Sequence, residues 1–274
     1  MRLSSQTLLA LLFSSVIVHA ADTGKVPPER VDPPELPQLA RIADVKAILD
    51  EVALPPLPFG PATLAAPQFP FTAERLKHYG PDGTIEEILK NREKYPLRVA
   101  ILDSLTILRK APVPGHAKGL LPISQVDVPV SEKFKRTVAK TQDVVAVLAA
   151  ELEVQVELLV ELRRLRADEP RRWQAHYDYT LAQLRRRLAL VHEYNKALGD
   201  IRTESMPNLP EGSPGWHLVP TAKLHSRLDV KKVLQQAMDD FTTITNEYKG
   251  TPWEALAARE LLSLPGLTWQ PIVK

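Results

Sequence analysis

The 274-residue chain contains no cysteine and only 11 glycines, and aromatic residues make up 6% of it. The lack of cysteine excludes disulfide bonds, thiol catalysis and metal sites with cysteine ligands. The low aromatic content, in a chain dominated by leucine, alanine and valine, favours helices over a β-sandwich or barrel. The net charge of +2 indicates neither a nucleic acid nor a strongly acidic partner.

Long apolar runs are also scarce, and the one that stands out is Leu8–Val18. It follows the positive Arg2 and precedes a small-residue cleavage site before Ala21, an order typical of a secretory signal peptide. We therefore expect residues 1–20 to be removed and the protein to be exported, to the periplasm or out of the cell. No second run of membrane length follows, so we expect no transmembrane segment after signal removal. With no cysteine after the signal, we expect no lipoprotein anchor.

Residues 21–70 form a proline-rich segment with eleven prolines. This composition predicts extended, polyproline-like chain that acts as a linker or as an arm on the domain surface. A ligand for a polyproline-binding module is the alternative. Apolar residues at steps of three and four between Leu39 and Val52 predict one short helix within the arm. The helical domain is expected over residues 71–274.

The stretch 131–204 contains a single proline, Pro170, and a single glycine, Gly199. Its heptad-like apolar spacing predicts two long helices, and a short turn at Pro170 makes them antiparallel. We expect Asp168 and Glu169 to cap the second helix. The seam residues are Phe134, Val138, Thr141, Val145, Leu148, Leu152, Leu159 and Leu162 in the first arm, and Trp173, Tyr177, Leu181, Leu184, Leu188, Val191 and Leu198 in the second.

A second apolar line on the first arm widens its stripe beyond a two-helix seam, so we expect flanking helices to cover it. The line consists of Val144, Val147, Leu158 and Leu165. Shorter helices are expected to begin at Thr84, Pro96, Asp229 and Thr251, each marked by a capping residue or a proline. The sequence thus predicts an all-α fold, with a long antiparallel hairpin packed against shorter helical pairs and a proline-rich N-terminal arm.

Two strips share the form Gly-apolar-x-apolar-x-Pro, at Gly215–Pro220 and Gly266–Pro271. We expect each to bury its tryptophan against the helices, and the two strips are candidates for strand pairing. Val126–Val128 is a candidate for a further short extended piece.

The helical pair at 229–264 resembles one tetratricopeptide-type unit, through Ala237, Phe241, Ile244, Tyr248, Pro252, Leu256 and Ala258. The whole chain is similar to uncharacterised exported bacterial helical proteins, through Arg171–Ala175 and the Gly250–Trp253 turn. Val191–Leu198 resembles a segment in the long periplasmic helices of outer-membrane efflux channels. These resemblances imply a binding scaffold in the cell envelope, and the uncharacterised group offers no activity to carry over.

No recognisable catalytic set appears in the sequence. The six histidines after the signal lack metal-ligand spacing, and we expect them at surface or boundary positions; His176 and Asp178, two residues apart, point away from each other on a helix. Gly-x-Ser-x-Gly and phosphate-loop motifs are absent. We therefore expect no catalytic, cofactor or metal site. A glycosidase-type carboxylate pair stays open, because its members can lie far apart in sequence.

Arginines crowd the hairpin turn and form a candidate basic contact surface, the arginine tip: Arg163, Arg164, Arg166, Arg171 and Arg172. One interpretation is a solvated helix end with ordinary ion pairs. The other is a contact with an anionic surface, such as lipid headgroups or acidic polysaccharide. The run Arg185–Arg187 is expected on a solvated face in the same way.

The sequence favours a non-enzymatic exported protein that binds a protein partner, of unknown identity, or scaffolds a cell-envelope assembly. One alternative is an accessory of an envelope transport or efflux system that docks through its hairpin. Another is a hydrolase with an unrecognised carboxylate site.

Overall fold

The computed structural model describes residues 38–55, 57, 71–110 and 121–273. The predicted signal peptide and most of the proline-rich arm lie outside these residues. The described part is mainly helical, which confirms the all-α class, and it adds a small three-stranded sheet. The helices are α1 (Ile42–Val52), α2 (Ala73–Leu76), α3 (Ile85–Lys90), α4 (Pro96–Lys110), α5 (Glu132–Glu161), α6 (Arg171–Arg202), α7 (Leu228–Glu247) and α8 (Pro252–Leu261), and the strands are β1 (Gln125–Asp127), β2 (Gly215–Thr221) and β3 (Gly266–Pro271).

The predicted hairpin is formed by α5 and α6, which run antiparallel. At its open end Lys135 forms an ion pair with Glu204, and near its turn the Tyr177 hydroxyl donates to the Leu159 carbonyl at 2.9 Å. Between the two helices, residues Leu162–Asp168 form a 3₁₀ helix. The helical rod is therefore broken before residue 170, as the prediction required.

The start of α6 differs in detail from the prediction. Pro170 is itself the N-cap, the helix begins at Arg171, and no side chain caps it. The Glu169 carboxylate, which we expected to cap the helix, accepts a hydrogen bond from Nε of Arg98 at 2.7 Å instead. An arginine from α4 therefore competes successfully for this carboxylate, because a charged donor binds it more strongly than a backbone N–H group.

Helix α6 is the centre of the fold, with most of its residues buried over its 32-residue length. The polar interruptions of the hairpin seam are satisfied by neighbours. Gln155 accepts from the Ser104 hydroxyl of α4 at 3.1 Å, and Asn195 accepts from Gln142 of α5 at 3.2 Å. Buried polar groups with partners cost little, so these two breaks in the apolar pattern keep the helices packed.

The second apolar line of α5 is not covered as predicted. Val144 and Val147 are 66% and 60% exposed, and Leu158 and Leu165 are only half-buried. The reason is that α6 and α4 pack against the neighbouring faces of α5. A side of α5 is therefore left open to solvent.

The short helix predicted in the arm is α1, and it packs into the core. Ile48 and Val52 are buried, and the Arg109 side chain of α4 donates to the carbonyl of Glu51. The described part of the arm thus belongs to the same hydrophobic core as the hairpin.

Three of the predicted helix starts are confirmed by side-chain caps or position, and one of them is Pro96, where α4 begins. The Thr84 hydroxyl accepts from the amide of Glu87 at 3.1 Å, and α8 begins at Pro252. Helix α7 begins at Leu228, one residue before the predicted cap Asp229, which therefore lies in the first turn. A carboxylate there still interacts favourably with the helix dipole.

The two glycine-started strips pair as antiparallel strands β2 and β3, with Leu218 opposite Trp269, and β1 pairs with β2. The indole N–H of Trp269 donates to the Ala197 carbonyl of α6 at 2.8 Å. The sheet is thereby attached to the open end of the hairpin. In the described part of the chain, every helix is too short or too polar to cross a bilayer.

Candidate functional site

The structure divides the arginine tip into two groups. Arg163 and Arg164 are exposed. Arg166, Arg171 and Arg172 form ion pairs with carboxylates from α1, α6 and α7. The side chains that remain for an external anionic contact are therefore Arg163 and Arg164, and whether they make one stays a prediction.

Arg166 connects the hairpin turn to α6 and α7. Its Nε atom lies 2.7 Å from Oδ1 of Asp178, and its Nη2 atom lies 3.0 Å from the hydroxyl of Tyr248. The Tyr248 hydroxyl donates to Asp178 at 2.5 Å. The hydrogen bond to Asp178 raises the pKa of Arg166, while burial and the Asp178 charge raise the pKa of Tyr248. The network keeps the cation and the neutral phenol in place at neutral pH.

A polar cleft of 380 Å³ opens beside this network, and we call it the tip cleft. Its carboxylates include Asp178 and Asp240, and its cations include Arg163, Arg166 and Arg185. Burial raises the pKa of Asp240, against the lowering effect of Arg185, whose Nη1 atom lies 2.5 Å from its Oδ2 atom. With Glu247, three carboxylates thus line one cleft, and each forms an ion pair with an arginine.

A second charged cluster joins α1 to α6. Oε2 of Glu51 accepts from Nε of Arg172 at 3.0 Å and lies 2.8 Å from Nε2 of His176. Nδ1 of His176 accepts from the indole N–H of Trp253 at 3.3 Å, so the ring proton is on Nε2 and is donated to Glu51. Arg172 also donates to the carbonyl of Tyr79 at 2.9 Å.

The protonation states of this cluster follow from its surroundings. Burial lowers the pKa of His176, against the raising effect of Glu51. Burial favours the neutral acid of Glu51, but the hydrogen bonds from His176 and Arg172 hold its pKa below the ordinary value. The resulting set is a neutral imidazole, a carboxylate and a guanidinium, which clamps α1 onto α6.

The expectation of surface or boundary histidines is wrong for His176, which is 1% exposed. Nothing local in the sequence connects His176 with Glu51, because the two are separated by 125 residues. The sequence contains one hint, because His176 directly precedes the seam residue Tyr177. Helix α6 is buried on nearly all sides, so a residue next to the seam is buried as well.

The run Arg185–Arg187 is not a solvated face. Arg186 and Arg187 are each 1% exposed. The Arg186 guanidinium donates to the carbonyl of Leu264 at 3.0 Å, and that of Arg187 donates to the carbonyl of Pro55 at 2.6 Å. The prediction failed because α6 is surrounded on all sides, so even consecutive arginines are buried.

These two arginines form an internal cationic cluster with Arg259 and Glu260. Burial lowers the pKa of Arg186 to about 10, and the nearby Glu260 carboxylate opposes that shift. Oε1 of Glu260 accepts from Nη2 of Arg259 at 2.7 Å. Nε and Nη1 of both Arg186 and Arg187 have no hydrogen-bond partner within the described residues. The cluster fixes α8 and the chain near Pro55 to α6.

The open side of α5 carries residues at steps of 4-3-4-3-4, which we call the outer stripe: Lys140, Val144, Val147, Glu151, Val154 and Leu158. Val154 is 57% exposed, close to the values for the other two valines. Val144, Val147 and Val154 thus leave apolar surface open to solvent along one helix face, and exposed apolar patches can mark interaction sites.

Comparison with protein-family models, with curated proteins and with solved structures found no match to this chain. The tetratricopeptide-like character of α7 and α8, and the resemblance to exported bacterial proteins, therefore stay predictions from the sequence.

Proposed function

We propose that this chain is an exported, non-enzymatic protein that binds a protein partner through the outer stripe of α5 and thereby scaffolds a cell-envelope assembly. The observation that carries the proposal is the exposure of Val144, Val147 and Val154 at heptad spacing. A partner that covered these side chains would stabilise the complex by about 25 cal/mol for each Å² of apolar area removed from water. A channel or adaptor of an envelope transport system would use the same face.

Export rests on the N-terminal residues alone, namely the positive Arg2, the apolar Leu8–Val18 run and the site before Ala21. Mass spectrometry of the chain purified from its own cells tests it. We expect a mature protein that begins at Ala21. A chain that keeps residues 1–20 and stays in the cytoplasm would overturn this part.

The binding face is tested by a photoreactive amino acid at position 147, with position 160 as the matched control. Val160 is also an exposed valine of α5 but lies on a different face, 44% exposed. We expect a discrete protein adduct from position 147 and none from position 160. The adduct should disappear with Val154→Glu, because a charge in the stripe removes apolar contact. No adduct at position 147, or equal adducts at both positions, contradicts the proposal.

The tip cleft supports a second candidate, a hydrolase that uses Asp178 and Asp240. A half-buried carboxyl with a raised pKa beside a second carboxylate is an arrangement used for general acid–base catalysis. It ranks second because arginines engage both carboxylates. We would measure hydrolysis of a panel of chromogenic glycosides by the wild type and by Asp240→Asn. Activity lost in the variant supports the hydrolase, and an inactive wild type removes it.

A further inference from the structure

Apart from Glu132 and Asp143, the charges on and beside the outer stripe are segregated along α5. Lys133, Arg136 and Lys140 precede the central valines, while the acidic residues of the second half follow them: Glu151, Glu153, Glu157 and Glu161. Lys140, Glu151, Arg136 and Glu157 are all exposed and have no ion-pair partner among the described residues. A helix that is basic at one end and acidic at the other complements a copy of itself that runs in the opposite direction.

We propose that the outer stripe binds a second copy of this chain, with the two α5 helices antiparallel and Val144 of each copy packed against Val147 of the other. This inference rests on the proposed function, because it identifies the partner of the same surface. It gives a two-fold symmetric contact in which one patch is complementary to itself.

The register follows from heptad packing. In heptad notation, Val144, Glu151 and Leu158 occupy a positions, and Lys140, Val147 and Val154 occupy d positions. In an antiparallel helix pair, each a residue packs against a d residue of the partner helix. With Val144 against Val147 at the centre, the next seam pair outward is Lys140 against Glu151 of the second copy, and it occurs twice by symmetry. Further out, Thr137 packs against Val154 and Lys133 against Leu158. The overlap of 26 residues is about 39 Å long at 1.5 Å rise per residue.

The residues that flank the stripe agree with this register. Arg136 and Glu157 lie on the same edge of the stripe, three seven-residue repeats apart. In an antiparallel pair this edge lies against the same edge of the partner helix. The register then brings Arg136 opposite Glu157 of the second copy. Each half of the interface therefore contains two opposite-charge contacts. A parallel pair would instead place Lys140 against Lys140 and Glu151 against Glu151, which is repulsive.

The first test is charge reversal with rescue. We would measure the monomer–dimer equilibrium of the full mature chain by sedimentation equilibrium for the wild type, Lys140→Glu, Glu151→Lys and the double variant. Each single change sets like charges against each other twice, so we expect dimer affinity to fall at least about tenfold. The double variant restores both pairs and should recover most of the affinity. Lys232→Glu, at an exposed lysine of α7, is the control and should dimerise as the wild type does.

The second test determines the register of the two helices from disulfide formation between introduced cysteines. Because the chain contains no cysteine, an introduced one is unique. We expect Val144→Cys protein mixed with Val147→Cys protein to form the mixed disulfide faster than either forms a disulfide with itself. Val144→Cys mixed with Val160→Cys should form little. A preference of Val144→Cys for itself would indicate a parallel pair and overturn the proposal.

The outcomes separate this inference from the function it rests on. A wild type that stays monomeric to several hundred micromolar, or a dimer insensitive to Lys140→Glu and Glu151→Lys, overturns the self-association. If position 147 then still gives an adduct with a different protein, the proposed function stands and only the second copy is wrong. If position 147 gives no adduct at all, both fail.

Discussion

Nε2 of His176 lies 2.8 Å from Oε2 of Glu51, and Nδ1 of the same ring accepts from Nε1 of Trp253 at 3.3 Å. One imidazole therefore connects α1, α6 and α8. Arg172 adds a guanidinium to the same carboxylate. The cluster attaches the part of the chain that looked like a surface arm to the central helix.

Removal of the Glu51 charge should destabilise the protein. Glu51→Gln leaves Arg172, whose side chain is 5% exposed, without its counter-charge, and we expect the free energy of unfolding to fall by about 2 kcal/mol. Asp50→Asn is the matched control, because Asp50 pairs with Lys46 in an exposed position on the same helix, and we expect a change within about 0.5 kcal/mol. Urea unfolding measures both, and equal effects of the two variants would contradict the role given to Glu51.

The same cluster predicts a stability that depends on pH. Burial lowers the pKa of His176 in the folded state, whereas in the unfolded chain its pKa is near the ordinary imidazole value of about 6.5. Below that value the unfolded chain binds more protons than the folded one, so stability falls as the pH falls, by up to about 1.4 kcal/mol per pH unit. The lowered pKa of Glu51 adds a loss of the same sign at more acidic pH.

We would compare urea unfolding at pH 7.5 and pH 5.5 for the wild type and for His176→Gln. The wild type should lose stability between the two values, and the variant should lose less. An identical loss in both proteins would show that folding does not lower the pKa of His176.

Gly215 is expected to be intolerant of any side chain. A Cβ atom at this position would collide with the carbonyl oxygen of Val126, in the neighbouring strand β1. We predict that Gly215→Ala lowers the free energy of unfolding by about 2 kcal/mol, because backbone atoms cannot move aside as a side chain can. Gly80→Ala is the control, since nothing lies within 4 Å of its Cβ position, and thermal unfolding of it should match the wild type.

Single substitutions distinguish the ion-paired arginine of the arginine tip, Arg166, from the exposed ones. Arg166→Ala leaves Asp178 without its arginine, and we expect a loss of about 2 kcal/mol in the free energy of unfolding. Arg163→Ala and Arg164→Ala change exposed side chains and should stay within about 0.5 kcal/mol. If all three variants unfold like the wild type, Arg166 is as free as its neighbours and the tip is one continuous basic surface.

Much of the fold could be predicted because local patterns and tertiary packing agree. The heptad seam and Pro170 predicted the antiparallel hairpin, and the repeated glycine-started strips were candidates for the pairing that β2 and β3 form. Even the seam breaks at Gln155 and Asn195 are consistent with it, since each has a side-chain partner.

The rest depended on what surrounds each helix, which a periodic pattern does not record. The same pattern predicted that Val144 would be covered, yet it is 66% exposed, because α5 lies at the edge of the fold. Arg187 was expected in water and is buried, because α6 lies at the centre. The link between Glu51 and His176 could not be predicted either, because nothing local relates residues so far apart in sequence.

We expect the outer stripe of α5 to be covered by protein when the chain is assembled with its partner. The most direct test is the rate at which a maleimide labels Val147→Cys and, as control, Val160→Cys, in dilute protein, in concentrated protein and in cells. We predict that position 147 reacts at least as fast as position 160 in dilute solution and several-fold more slowly in the other two conditions, while position 160 changes little. Equal rates at the two positions in all three conditions would contradict the account.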